Sequence, residues 1–319
     1  NELTRSANSE SGTATVDYVE PEASDSLEQA WIGDDIPIGA SKLTREAFEN
    51  RLDRTPVDGD IAITIVLNDW RMDEERDLVD QAYGNRETLP FEVDVRRDVT
   101  TDELRGLLEQ DTAFLHYIGH TEADGFECPD GKLDASTLDE TGVQAFLLNA
   151  CNSYDQGLGL IEAGAVGGIV TLNDVINDGA VRIGVTAARL LNVGFPLRSA
   201  LSIARDESIL GGQYIVVGDG GMTVAQPASG SPYLLKIQPS GDKYSVELDT
   251  YSTDVAGLGA IFKPFVEDNH CHFLSSGKTA EFKMSSQELQ NFLHLEEIPV
   301  RYEGELCWSG SIDVESDLS

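Results

Sequence analysis

Lysine is scarce in this chain. Its 22 basic residues are 7 Lys and 15 Arg, and they face 57 Asp and Glu, for a formal net charge of −35. A surface this negative repels nucleic-acid phosphates and anionic membranes, which argues against both as partners. Cysteine is scarce too: Cys128, Cys151, Cys271 and Cys307 are too few for a disulfide scaffold across 319 residues. No apolar run approaches the ~18 residues that a membrane-spanning helix needs. There is no Asn-x-Ser/Thr sequon, and Asn1 is not followed by a signal-like apolar stretch. A soluble, cytoplasmic protein is expected. Because the first residue is not Met, further chain upstream of Asn1 is expected as well.

What is present is enough to fold. Apolar residues make up 40% of the chain, which supports a core and excludes a wholly disordered acidic protein. The length suggests two domains, or one with substantial additions. The acidity is spread along the chain instead of forming one tail. An acidic, Lys-poor surface suits a salt-loaded cytoplasm such as that of a halophilic archaeon. In molar salt the Debye length falls to about 3 Å and carboxylate repulsion is screened. The alternative is a landing surface for a basic partner.

Periodicity divides the chain into four parts. Residues 1–28 read as a flexible acidic lead-in. Residues 29–60 read as an N-terminal decoration, with a short strand or hairpin at Trp31–Ile38 and a helix from Lys42 to Leu52 capped by Ser41. From Ile61 strands and helices alternate, the pattern of a mostly parallel sheet covered by helices. Ile61–Leu67 is a continuous apolar run, as a strand buried on both faces should be. Further strands are expected at Phe91–Val95, Ala113–Ile118, Ala145–Leu148, Gly168–Leu172 and Tyr214–Val217. Helices are expected at Asp73–Tyr83, after the capping box Thr100-x-x-Glu103, at Ala180–Leu191 and at Leu197–Asp206. After this 61–226 unit and a Pro/Gly/Ser linker at 227–232, residues 233–319 read as a β-rich domain of antiparallel strands. Those strands are expected at Tyr233–Ile237, Tyr244–Thr250, Gly259–Val266, Glu281–Met284 and Tyr302–Asp313. A second capping box, Ser285-x-x-Glu288, opens its one helix.

Two strand ends carry chemistry. One reads His116-Tyr117-Ile118-Gly119-His120-Thr121 and the other Leu148-Asn149-Ala150-Cys151-Asn152-Ser153. Ligands of open α/β sheets bind beyond the carboxyl ends of the strands, so His120 and Cys151 would meet in one crevice. Imidazole beside thiol is the pairing that nucleophilic cysteine chemistry needs. A free Cys is more often a small core hydrophobe, and spacing alone does not choose between the two.

The blocks in their order resemble the caspase-like cysteine peptidases and, within them, the CHAT family. His116–His120 is similar to the block that ends in the catalytic His, and Leu148–Asn152 to the block that holds the nucleophile. Gly168–Leu172 followed by Val175 resembles the next strand. Ala200-Leu201-x-x-Ala204-Arg205 and Gly218-Asp219 are similar to the later helix and the closing turn. The resemblance implies a caspase-like α/β fold and a cysteine endopeptidase without metal or organic cofactor. It implies His120 as general base and acid, Cys151 as nucleophile, and the N–H groups of Thr121 and Cys151 as oxyanion donors. It also implies a protein or peptide substrate and activity switched on by a partner or sensor.

Three departures from the family pattern are plain. Thr121 stands where the family has Gly, Asn173 where it has Trp, and Asn149 where relatives that cleave after Arg or Lys carry Asp. Asn149, Asn173, Asp155 and Asp174 are the candidate substrate-binding residues, with a polar or medium-sized P1 residue favoured over a basic one. An inactive caspase-like scaffold is the competing reading.

Other chemistry-bearing residues read blandly. His116 is expected in the core and Cys128 in a hairpin after His120. His270-Cys271-His272 with Cys307 would place its His and Cys on opposite strand faces, which argues against zinc. Gly218-Asp219-Gly220-Gly221 reads as a turn instead of a phosphate loop.

Overall fold

The computed structural model describes residues 18–22, 24–54, 60–68, 83, 89–122, 124–174, 177–266 and 269–314. Its centre is an eight-stranded sheet. In chain order the strands are β1 (Ala30–Trp31), β2 (Ser41–Lys42), β3 (Ile61–Leu67), β4 (Phe91–Arg97), β5 (Thr112–Ile118), β6 (Val143–Asn149), β7 (Gly167–Thr171) and β8 (Tyr214–Gly218). Across the sheet they run β1-β2-β8-β7-β6-β5-β3-β4. β4, β3, β5, β6 and β7 are mutually parallel, and β8 is antiparallel to β7. This is the expected α/β class: a large, mostly parallel sheet flanked by helices, followed by a β-rich unit.

Alternate residues of each central strand feed two cores, because successive side chains of a strand point to opposite faces. Ile63, Ile65, Phe114, Ile118, Leu147, Ile169 and Val216 meet helices α4 (Asn177–Asn192) and α5 (Leu197–Arg205) on one face. Val66, Leu115, Tyr117, Phe146, Leu148, Val170 and Val217 meet α1 (Arg45–Asp53), α2 (Thr101–Glu109) and α3 (Tyr154–Glu162) on the other. The capping box of α2 forms as expected, with Thr100 and Glu103 satisfying each other's backbone N–H groups. The helix expected over 73–83 lies outside the described residues except for Tyr83, which is buried.

The N-terminal expectations need correction. Within the segment read as a decoration, β1 and β2 extend the central sheet, Lys42 pairing with Val217 and Trp31 with Lys42. Ser41 therefore lies in a strand, and Thr44 caps α1 by accepting from Ala47 N–H at 3.2 Å. The lead-in is also placed towards its end. Tyr18–Val19 pairs with Ile36–Pro37, and the Glu28 carboxylate, with a side chain 11% exposed, accepts from Ser199 and from Ser276 at 3.0 Å and pairs with Arg198 at 2.8 Å.

The β-rich unit is built on β9 (Tyr233–Ser240), β10 (Lys243–Thr250), β11 (Phe282–Met284), β12 (Pro299–Tyr302) and β13 (Glu305–Trp308). It is not purely antiparallel: β9 and β12 run parallel, with Leu235 opposite Val300. The single strand expected at Tyr302–Asp313 is a hairpin, turned at Glu303 and Gly304, whose φ values of 51° and 98° suit a tight two-residue turn. Of the strand expected at Gly259–Val266 only Ile261–Phe262 forms. Helix α6 (Ser286–Leu293) opens on the expected Ser285–Glu288 capping box. Leu234 and Tyr251 pack into the same core as α4 and α5, the Arg189 guanidinium stacks 4.0 Å from the Trp308 ring, and Arg301 pairs with Asp206 at 2.9 Å.

Candidate active site

β5 and β6 lie side by side, and their last paired residues are Ile118 and Asn149. His120 follows Ile118 by two positions and Cys151 follows Asn149 by two, so equal overhangs carry both past the carboxyl edge of the sheet. Both residues are half-buried. A direct link joins the two overhangs: the buried Thr121 hydroxyl donates to the Cys151 carbonyl.

The chain after His120 turns into a hairpin. Thr121 stands opposite Phe126 and Glu122 opposite Gly125, and Gly125–Cys128 pairs onward with Gly131–Leu133. Glu127 N–H donates to the His120 carbonyl at 3.0 Å. That bond makes Thr121 and Phe126 a pair that exchanges no ladder hydrogen bonds, so the Thr121 N–H points away from the Gly125–Cys128 strand. The Tyr117 hydroxyl, buried beneath, lies 3.2 Å from the His120 carbonyl and 3.0 Å from the Glu127 carbonyl. Gly119 is required here, since a Cβ would come within 2.7 Å of that hydroxyl.

The Cys151 loop is held by two buried hydroxyls. Thr171, at the end of β7, donates to the Ala150 carbonyl and accepts from Ser153 N–H at 3.3 Å. Ser153 donates to the Leu148 carbonyl at 3.1 Å and accepts from Thr171 N–H at 2.9 Å. The two hydroxyls also lie 3.2 Å from each other, and together these contacts fix the strand end to its neighbour. Asn152 adopts φ 52°, a left-handed conformation that Asn tolerates better than most residues, and its side chain donates to Asp174 at 2.7 Å.

The candidate substrate-binding residues are engaged with the protein itself. Asn149 is fully buried, accepting from the Tyr214 hydroxyl at 2.6 Å and donating to the Ala180 carbonyl at 3.1 Å. Asn173 is exposed and donates to Gln213 at 2.7 Å, and Asp174 holds Asn152. Asp155 is an exposed residue in the first turn of α3.

The remaining candidates fall outside this constellation. His116 is buried, its Nδ1 3.4 Å from the Tyr83 hydroxyl. Cys128 receives an Asn68 side-chain N–H at 3.7 Å, and burial, helped by Asp130, pushes its thiol up to about 11. His270-Cys271-His272 lies in an irregular segment, not on the expected strand, and among the described residues no three ligands cluster as a metal site. Gly218–Gly221 is a turn in which Asp219 accepts from Gly221 N–H at 2.8 Å and pairs with Arg51.

Sequence reasoning missed Tyr117, Ser153 and Thr171. Tyr117 reads as one more apolar strand residue, and the two hydroxyls acquire meaning only once β6 and β7 are neighbours.

No known family model matches the chain, and no curated protein matches it in sequence. Solved structures of similar shape do exist. The Arg-specific cysteine proteinase gingipain R is 12% identical with a TM-score of 0.47, over 82% of this chain and 70% of its own. A complex of the pro- and mature domains of the Porphyromonas gingivalis enzyme gives 13% and 0.43, over 70% of this chain and 62% of that one. The Saccharomyces cerevisiae separase–securin complex gives 13% and 0.42, over 54% of this chain, which spans only 13% of the chain it matches.

Proposed function

We propose that this protein is a caspase-like cysteine endopeptidase of the CHAT type, in which His120 and Cys151 act on a peptide bond of a protein substrate. The observation that carries the reading is the register of β5 on β6, which gives the two residues equal overhangs at one sheet edge, joined by the Thr121–Cys151 hydrogen bond. In the reaction His120 takes the thiol proton as Sγ bonds to the substrate carbonyl carbon. It returns that proton to the amine as the C–N bond breaks. Water then adds to the thioester, His120 carrying its proton to the departing Sγ. The N–H groups of Thr121 and Cys151 receive the oxyanion. No step calls for a metal or organic cofactor.

On this reading Asn173 is the neutral, polar residue at the P1 site, with Asp155 and Asp174 at its rim, and Asn149, fully buried on Tyr214 and Ala180, supports the site from beneath. The peptidase unit is 61–226 together with β1 and β2, and the 233–319 unit recruits substrate or a controlling partner. Composition favours a salt-rich cytoplasm as the setting. The scaffold alternative draws on Thr121 and Asn173, the departures from the family pattern.

An electrophilic peptide probe decides between the two. It is expected to label Cys151 in the wild type and to fail in His120→Ala and Cys151→Ala. Labelling of Cys151 that is indifferent to His120, or no labelling at all, would sink the peptidase reading.

A further inference from the structure

Resting on the reading just given, we propose that Thr171, assisted by Tyr117, is a positioning residue that aims the two oxyanion-binding N–H groups. A trans peptide is planar, so its C=O and the following N–H point in opposite directions. Whatever grips the carbonyl therefore fixes the direction of the N–H. The Cys151 N–H shares its peptide with the Ala150 carbonyl, which accepts the Thr171 hydroxyl. The Thr121 N–H shares its peptide with the His120 carbonyl, held by Glu127 N–H at 3.0 Å and approached by the Tyr117 hydroxyl at 3.2 Å. Both carbonyls are anchored on the protein side, so both N–H groups face away from their anchors.

The anchors are rigid. Thr171 and Tyr117 are both fully buried, and the Thr171 hydroxyl has its own acceptor role filled by Ser153 N–H at 3.3 Å. Its single proton has two acceptors in reach, the Ala150 carbonyl and the Ser153 hydroxyl at 3.2 Å, and the Ala150 carbonyl is the nearer. The Thr121 hydroxyl completes the frame by tying its own loop to the Cys151 carbonyl. A Thr in place of the family's Gly then has a use: it gives up backbone freedom and gains a fixed cross-link between the two loops. Preorganised donors of this kind need no reorganisation when negative charge develops.

Two chemistries at the same sulfur separate orientation of the hole from integrity of the thiol. Iodoacetamide alkylates Cys151 by displacing iodide as the C–S bond forms, with no oxyanion on the way. Peptide hydrolysis, and capture of a peptide aldehyde as a hemithioacetal, both place oxygen charge in the hole. The aldehyde used should end in the residue that the wild type cleaves best. In Thr171→Val, kcat is expected to fall at least tenfold and aldehyde affinity to fall in parallel. KM and the rate of iodoacetamide modification at Cys151, read by mass spectrometry, should stay within about twofold. Thr171→Ser keeps the hydroxyl and is expected to retain activity. Tyr117→Phe should give a smaller loss of the same kind, because Glu127 N–H remains, and it carries the test if Thr171→Val does not fold. The inference is overturned if kcat is unchanged in folded Thr171→Val or in its Tyr117→Phe stand-in, or if alkylation falls as far as kcat, which would mean that the thiol itself has moved. A wild type whose Cys151 shows no His120-dependent labelling overturns the peptidase reading instead.

Discussion

Cys128 and Cys151 lie near the same end of the sheet, yet their surroundings prepare them for different fates. Cys128 is half-buried on the hairpin that follows His120, beside Asn68, and loss of solvation pushes its thiol up to about 11. The raised value favours the neutral form, so at pH 7.5 fewer than roughly one molecule in a thousand carries the thiolate that reacts. Cys271 is exposed and serves as an internal control. In native protein at pH 7.5, iodoacetamide is expected to modify Cys271 and Cys151 and to spare Cys128. Cys128 should become reactive only above about pH 10 or after unfolding. Prompt modification of Cys128 at neutral pH would show that its side chain is not enclosed as described. The contrast also explains why Cys128, although close to the His120 hairpin, is a poor candidate for the nucleophile.

At the scale of elements, the position of Cys151 depends on how closely α3 sits against β7. The helix begins three residues after Cys151, and its approach is set at Gly157, where a Cβ would lie 2.4 Å from Val170 Cγ1 and 3.4 Å from the Phe146 ring. Val170 is buried and β-branched, so it has little room to yield. Gly157→Ala is therefore expected to cost roughly 1–3 kcal/mol, as overpacking of a filled core does. The denaturant midpoint should drop at unchanged m-value. Peptidase activity should drop further than the folded fraction accounts for, because the helix carries the end of the Cys151 loop with it. A variant as stable as the wild type would show that α3 can ride higher on the sheet at no cost. The elements that sequence reasoning placed well are those whose signals are local: the apolar run of β3, the Thr100 and Ser285 capping boxes and the two helices after β7. Those it misplaced are decided by distant partners. Ser41 is as good a cap as Thr44, but its backbone belongs to a strand because β8 offers an edge to Lys42.

For the whole molecule the governing quantity is the charge of −35. Ion pairs such as Lys132 with Glu122 and Asp124 (2.5 and 2.7 Å) and Lys236 with Asp249 (2.5 Å) employ only a small share of the carboxylates. The surplus repels itself, and the repulsion reaches farther as salt is withdrawn, the Debye length growing from about 3 Å at 1 M to about 10 Å at 0.1 M. The melting temperature is therefore expected to fall when the protein is moved from molar to 0.1 M potassium chloride. A flat or rising melting temperature in a salt series would remove salt adaptation as the reason for the composition. Charge, element type and the order of strands and helices were determined by the sequence itself, because composition sums over residues and periodicity and capping act over a few positions. The tertiary structure alone decided that β1 and β2 extend the sheet and that β9 runs parallel to β12. It alone set Ile118 opposite Asn149 and brought the hydroxyls of Thr121 and Thr171 to the carbonyls of Cys151 and Ala150. Such contacts join residues far apart along the chain, Thr171 with Ala150 and Lys42 with Val217 among them, and no local pattern encodes which buried carbonyl a given hydroxyl will meet until packing has brought the two strands together.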